Sequence, residues 1–533
     1  MLHKQHPFFF DKVLISIFLN VVLGIRTKME FHKRYYPAFE EFKQLAQKGN
    51  IIPVYRQLFA DTLTPVSAFQ KISDTEYAFL LESAAGGEKI SRYSILGANP
   101  FIEFTSYGKR IEIIRGDKKK EVLHTEDPLE TLSKEMKAFI PVHMNGLPDF
   151  FSCVVGYIGY DTIRYFEQLP NVPNDNLLLP DIRVMFYDSV VIFDHLTKTI
   201  KVVCTAKIGN DDLENVYADA VSKIDSIIEK LRTPVMSLSD DILTNNGEVN
   251  IPFSSNFEKA DFLKAVGRCK EYIRAGDIFQ VVISQRLKTQ TQADPFNIYR
   301  ILRVINPSPY MFYLKLGNLK LIGSSPEVMV KVEGKRIVVR PIAGTRKRGK
   351  DNTEDDLLVR ELIADPKERA EHIMLLDLGR NDVGRVSRYG SVHIDEKMVI
   401  EKYSHVMHIT SSVCGELQNG KTAFDSLKAC LPAGTLSGAP KIRAMEIIDE
   451  IEPTKRGPYG GAVGYFDFFG NMNTCITIRT IILKGNDAYI QAGAGIVADS
   501  VPEREYEETL NKAKGLLKAI ELAEKMNYSE KRK

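Results

Sequence analysis

The chain of 533 residues has a charged fraction of 26 %, a hydrophobic fraction of 44 % and a net charge of +2. That is the make-up of an ordinary soluble globular protein, and with basic and acidic residues interspersed it excludes the basic footprint of a nucleic-acid binder. The length calls for two or more structural units or one large interwoven domain.

Residues 1–28 are the least like the rest. Their apolar stretch FFFDKVLISIFLNVVLGI is broken by Asp11, Lys12 and Asn20, its clean run is short for a membrane span, and no small-x-small cleavage site comes after it. A signal anchor and an upstream start with translation from Met29 are the two readings. The second fits better, because the chain beyond Met29 reads as a soluble N-terminus. Residues 1–28 are therefore treated as an atypical extension, and no membrane association is expected. The six cysteines, Cys153, Cys204, Cys269, Cys414, Cys430 and Cys475, form no C-x-x-C pair and no secreted disulfide pattern, which makes a reducing cytoplasm the simplest setting. Tryptophan is absent altogether.

From Tyr36 a helix is expected over PAFEEFKQLAQKG, ended by Gly49, then an extended segment around IIPVYRQLFAD. Strands come next at EYAFLLES, RYSILGAN, PFIEFTS and KRIEIIRG, rich in β-branched and aromatic residues with turn residues between. The helix DPLETLSKEMKAFI precedes DFFSCVVGYIGYDTIRYFE, whose Gly156 and Gly159 read as tight strand-to-helix packing, since no P-loop or G-x-G-x-x-G accompanies them. Strands at DIRVMFYDSVVIFDH and TIKVVCTA close the N-terminal region, 36–204. Residues 205–256 run through a polar helix into TNNGEVNIPFSSN, a linker. The second region, 257–525, opens with the amphipathic helix FEKADFLKAVGRCKEYIRAGD and alternates strands, turns and helices to its end. The pattern is mixed α and β with mainly antiparallel strands.

Two acidic helices stand out in the second region. DPKERAEHIMLLDLG carries Asp365, Pro366 and Glu368 as N-cap, N1 and N3, and SVPEREYEETLNKAKG offers Ser500 and Glu503 as a capping box. Glu368 and Glu371 stand three apart, as do Glu505 and Glu508, so each pair shares one helix face. The first helix then turns apolar nearly all round through Ile373, Met374, Leu375, Leu376 and Leu378, which predicts a buried element. Carboxylates on a buried helix need charged partners or a metal, and hard oxygen ligands suit Mg²⁺. Alone, each helix reads first as a solvated acidic face complementing the N-terminal dipole.

Their company changes that balance. SSPE, PIAGTR, PAGTLSGAPK, GPYGGAVGYF and QAGAGIVADS are glycine- or proline-punctuated turns, several directly after a β-rich run. Glycines let backbone N–H groups approach a ligand closely, and consecutive N–H groups make anion-binding nests. Five such turns beside two acidic helices predict a site for a compact, multiply anionic small molecule. Arg479, within TCITIRTIIL, is expected to lie buried in a strand and to seek a carboxylate. His408 reads equally as a base or a structural histidine.

PIAGTR, KERAEHIMLLDLGRND, YSHVMHITSSVCGEL, GTLSGAPKIRAMEII, RGPYGGAVGYF and QAGAGIVADSVPEREYEET together resemble the chorismate-utilising enzymes, and among them the large-subunit (component I) anthranilate synthases. The likeness runs from about Tyr36 to the final helix. It implies a layered α/β/β/α sandwich of mainly antiparallel sheets, with 36–204 as a regulatory region and 257–525 as the chorismate-binding region. It implies a lyase making anthranilate and pyruvate from chorismate and ammonia, the first committed step of tryptophan biosynthesis. By resemblance, Glu371 and Glu508 are the principal Mg²⁺ ligands, with Glu368 and Glu505 supporting them. The backbone of Gly344, Thr345, Gly493, Ala494 and Gly495, with Tyr459 and Arg479, would hold the substrate. Glu327 matches the acid that protonates the departing C4 hydroxyl, and His408 a histidine linked to aromatisation.

Two positions separate the relatives. Aminodeoxychorismate synthases, the alternative reading, typically carry a nucleophilic Lys where this chain has Ala343. Isochorismate and salicylate synthases typically place a water-activating Lys where this chain has Gln280, which leaves room for ammonia. A third reading, a tryptophan-sensing paralogue without turnover, would be expected to have lost acidic ligands or His408, and it has lost none. LLES, RYS and PSPYMFY resemble the allosteric tryptophan pocket of component I, with Ser83, Pro309, Tyr310 and Met311 at its contact positions. No cysteine lies in the G-x-C-x-G elbow of a glutamine amidotransferase, so the resemblance implies a separate glutaminase subunit as partner.

Overall fold

A computed structural model of the chain describes residues 34–83, 92–116, 119–234, 248–403 and 406–530. The extension over 1–28 and the first four residues of TNNGEVNIPFSSN lie outside the described residues.

Two 12-stranded sheets carry the fold, and their strands pair antiparallel. Burial follows strand chemistry. Ile102–Tyr107 buries every second residue, as a strand with one wet face does, whereas Cys153–Ile158 is buried at all six positions because both its faces are covered. Phe79, Phe312 and Leu321 from the first sheet meet Val155, Tyr157 and Tyr187 from the second in one apolar layer. On the outer face of the first sheet, helices Leu213–Arg232, Pro295–Ile305 and Pro502–Glu530 bury Ile224, Leu302 and Leu516. Helices Pro128–Lys137, Pro366–Gly384 and Ala423–Cys430 cover the second sheet through Leu129, Leu376 and Leu427. The result is the expected α/β/β/α layering of antiparallel sheets.

Each sheet draws strands from both regions of the chain. Tyr77–Glu82 pairs with Tyr310–Leu316 in one sheet, and Cys153–Ile158 pairs with Ala462–Asp467 in the other. Segments far apart in sequence are thereby held side by side, and this places the functional site.

Several local expectations change. Gly156 lies within a strand, where a Cβ would stand 2.1 Å from the Arg183 carbonyl oxygen, so the close approach is by the neighbouring strand instead of a helix. The first helix is shorter than its pattern, Phe39–Leu45, and ends before Gly49. Helix Pro366–Gly384 is not apolar all round in place. It buries His372, Leu375 and Leu376 while Ile373 is 43 % exposed, because only one face meets the sheet. All six cysteines are buried and form no disulfide, and no helix among the described residues is long and apolar enough to cross a membrane.

Candidate functional site

The first acidic helix starts as its sequence predicts. Asp365 accepts hydrogen bonds from the backbone N–H groups of Lys367 (3.0 Å) and Glu368 (3.3 Å), with Pro366 as the first helical residue. The second does not use its capping box. Helix Pro502–Glu530 begins beyond Ser500, whose hydroxyl instead accepts the Val497 N–H at 3.1 Å. Ser500 thus fixes the turn that leads from the QAGAG strand into the helix.

The fold sets the two helices' carboxylates against one another. Burial first, then the charges of Glu368 and Glu508, raise the Glu371 carboxyl above the usual range. Burial and the charge of Glu508 raise Glu505, against a hydrogen bond from Ser500. Lys367 and Lys512 oppose both shifts. Lys512 Nζ reaches Glu508 Oε1 at 2.6 Å and donates to the Gly493 carbonyl at 2.9 Å, so one lysine ties the acidic cluster to the glycine-bearing strand Asp487–Ile496. Arg346, at the end of PIAGTR, pairs with Glu368 at 3.2 Å and with Asp365 at 2.9 Å. A cluster of like charges of this kind costs folding energy that a divalent cation would offset, and its oxygen donors fit a hard ion.

The PIAGTR and QAGAG glycines lie in strands, Ile342–Lys347 and Asp487–Ile496, and not in the turns their sequence suggested, and these strands run beside the cluster. Gly344 has φ +66°, and a Cβ there would lie 3.0 Å from Glu368 Oε2, so the PIAGT backbone passes directly beside the carboxylates. Gly493, Ala494 and Gly495 pair with Ser284, Ile283 and Val282, and a Cβ at Gly493 would lie 2.9 Å from the Tyr459 hydroxyl. A Cβ at Gly495 would meet Gln280 Nε2 at 2.5 Å. Gln280 is buried, and its Oε1 has no hydrogen-bond partner among the described residues, an acceptor held ready beside that strand.

Arg479 departs from expectation. It sits in a bend between strands Met472–Ile476 and Thr480–Lys484 with φ +49°, a conformation that costs a non-glycine residue about 1–3 kcal/mol and clusters at functional sites. The bend lets its guanidinium donate to the Lys512 carbonyl at 3.0 Å instead of stacking within a sheet. Burial lowers its pKa, partly offset by Tyr459 and Glu508, so a carboxylate ligand would find a poorly compensated cation there.

Glu327 comes just after strand Leu319–Ser325 and is 7 % exposed. Burial raises its carboxyl to about 8, against hydrogen bonds from the Thr435 hydroxyl and the Ile342 backbone. Thr435 Oγ1 stands 3.1 and 3.2 Å from the two carboxylate oxygens. A carboxyl still protonated at neutral pH is a general acid. His408 lies opposite Thr345 in the neighbouring strand. Its Nδ1 is 3.0 Å from the Gly344 carbonyl oxygen and 3.1 Å from Thr345 Oγ1, and burial lowers its pKa. An Nδ1–H donated to that carbonyl leaves Nε2 as a free base.

Ser83, Pro309, Tyr310 and Met311 line a separate cavity of about 450 Å³, together with Tyr93, Phe150 and Tyr465. Thr435, Lys512 and Arg346 were not singled out in the sequence, although Thr435 and Arg346 belong to its glycine-punctuated turns. Lys512 carried a fainter signal, four residues after Glu508 on the same helix face.

Comparisons with known proteins agree with this geometry. Residues 76–518 match the family described as chorismate binding enzyme. Anthranilate synthase component 1 of Acetivibrio thermocellus is 53 % identical over 492 residues, covering 92 % of this chain and 99 % of the relative. That of Synechocystis is 49 % identical over 514 residues, covering 91 % and 99 %. The crystal structure of anthranilate synthase component I from Streptococcus pneumoniae TIGR4 superimposes with a TM-score of 0.72 at 37 % identity, covering 86 % of this chain and 99 % of that one.

Proposed function

The chain belongs to the chorismate-binding enzymes and, within them, to the anthranilate synthase component 1 family, and from that premise we propose that it converts chorismate and ammonia into anthranilate, pyruvate and water. The observation that carries the reading is a buried Glu327, its carboxyl raised to about 8, set with glycine-bearing strands and an opposed pair of acidic helices. An acid is needed where hydroxide leaves, and fixed positive and N–H groups where a dianion sits.

Glu371 and Glu508, supported by Glu368 and Glu505, would hold Mg²⁺, which when bound supplies positive charge to a chorismate carboxylate. Arg479 and the backbone at Gly344, Thr345 and Gly493–Gly495 orient the carboxylates and ring, with Tyr459 closing the site. Gln280 Oε1 offers an acceptor for the N–H of incoming ammonia at C2. As the C2–N bond forms, the ring double bonds shift and the C4–O bond breaks, and Glu327 gives its proton to the leaving oxygen, which departs as water. His408 Nε2 is positioned as base for the C2 proton; its removal expels the enolpyruvyl group as pyruvate and leaves the aromatic ring. Ala343, 8 % exposed, puts a methyl where a nucleophilic amine would divert the chemistry. Ammonia comes from glutamine through a separate amidotransferase subunit, in the cytoplasm. Tryptophan, the end product, binds the 450 Å³ cavity and inhibits.

Product analysis by mass and fluorescence, with purified chain, chorismate, Mg²⁺ and ammonium, tests the reaction. Anthranilate and pyruvate in equal amounts are expected, and aminodeoxychorismate or isochorismate would overturn the reading. For the cavity, Ser83→Phe adds a ring to a lined space. Overpacking costs about 1–3 kcal/mol, so the tryptophan concentration for half-inhibition should rise roughly tenfold or more. An unchanged inhibition curve would remove Ser83 from the pocket.

A further inference from the structure

Apart from the acidic helices, three side chains of different chemistry meet on the second sheet. Strands His393–Lys402 and Val406–Glu416 run antiparallel, with His393 opposite Cys414. The register shifts between Ile394 and Glu396, so Asp395 has no ladder partner and the irregularity re-aims its side chain. The Cys414 thiol donates to Asp395 Oδ2 at 3.1 Å, and His393 Nε2 stands 2.9 Å from Asp395 Oδ1. One ligand atom from each of the three lies within 4.8 Å of the others.

The tautomer of the histidine is fixed by its other nitrogen. His393 Nδ1 is 2.8 Å from the Ser391 carbonyl oxygen, which can only accept, so Nδ1 carries a proton. In a neutral ring Nε2 then turns a lone pair toward a carboxylate oxygen, and a proton or a metal ion between them is what makes that contact favourable. A ring N–H given to a backbone carbonyl is also how metal-bound histidines are held. One cation already answers these groups: Arg336 pairs with Asp395, and its Nη2 lies 3.3 Å from Cys414 Sγ. Its side chain is more than half exposed, so the guanidinium can swing into water.

We propose that His393, Asp395 and Cys414 form a site for Zn²⁺ or an ion of like softness, which displaces the Arg336 guanidinium and keeps water in its fourth position. Imidazole nitrogen, carboxylate oxygen and thiolate sulfur are donors that zinc takes, whereas a thiolate does not suit Mg²⁺. Binding forms an S–Zn bond and breaks the S–H bond, whose proton goes to solvent. The site calls on none of the four glutamates read above as Mg²⁺ ligands. It joins two strands where their ladder is interrupted, both between Ile394 and Glu396 and between Glu396 and Val399, so a bound ion clamps the strand that carries His408 to its neighbour.

Co²⁺ titrated into the reduced full chain, with excess Mg²⁺ present to fill the glutamate cluster, tests the site. A sulfur-to-cobalt charge-transfer band is expected together with the visible bands of a tetrahedral ion, and Zn²⁺ should bleach both. Cys414→Ser should abolish the charge-transfer band, and His393→Gln should weaken Co²⁺ binding by roughly tenfold to a hundredfold. Arg336→Gln should act in the opposite direction and tighten binding about two- to fivefold, the worth of one part-exposed ion pair, which a general loss of structure would not produce. No charge-transfer band in either the wild type or Arg336→Gln would overturn the site. So would a band that persists in Cys414→Ser, a band that forms only when Mg²⁺ is left out, or wild-type affinity in His393→Gln.

Discussion

Glu327→Gln should lower kcat/KM for chorismate by about 10²–10⁴-fold, the usual worth of a positioned proton donor. The amide keeps the shape and the Thr435 contact at 3.1 Å but has no proton to give the leaving hydroxide. The pH dependence is the sharper test. With a carboxyl raised to about 8, the acid form persists through neutrality, so wild-type kcat/KM should fall as pH rises through about 8 when free ammonia is held constant. In the variant that alkaline limb should vanish. A retained limb of the same midpoint would assign it to another group.

Stability carries the same signature with its own sign. The folded-state pKa of about 8 lies above the ordinary glutamate value of 4.5, so between them the folded chain binds more protons than the unfolded. Glu327 therefore makes its full contribution below about 4.5, and that contribution is lost as pH rises through about 8. Chemical denaturation across this range should show a slope in the wild type that Glu327→Gln reduces.

The second large effect is expected at the acidic helices. Glu371→Gln or Glu508→Gln each removes one negative charge from the proposed metal site, and turnover at a fixed Mg²⁺ concentration should drop by about 10²–10³-fold, the scale of losing one aligned electrostatic group. The two differ in what they relieve. Glu371 is held above its usual range by burial and by Glu368 and Glu508, so its neutralisation should raise the metal-free melting temperature. Glu508 pairs with Lys512 at 2.6 Å, so its loss frees a lysine that also holds the Gly493 carbonyl. Initial rates across a Mg²⁺ titration decide the matter. Wild-type turnover at saturating Mg²⁺ in both variants would remove the helices from the mechanism.

What the sequence determined by itself was local. Asp365, Pro366 and Glu368 announce a helix start because capping bonds reach only two or three residues, and the three-residue spacing of the glutamates fixes their common face. The glycine-punctuated stretches and the resemblance they support were equally legible, since a positive φ such as that of Gly344 favours one residue type, although PIAGTR and QAGAG form strands and not turns. Local patterns also misled: Ser500 and Glu503 spell a capping box that the helix does not use, and the apolar run after Glu371 buries one face alone. Tertiary structure decided the rest. The raised carboxyl of Glu327 needs burial and a threonine 108 residues away, the mutual repulsion of Glu371 and Glu508 needs two sheets to bring their helices together, and the bend at Arg479 serves a carbonyl 33 residues on. Desolvation and charge proximity depend on which distant segments exclude water from one another, and no spacing within a single helix or strand records that.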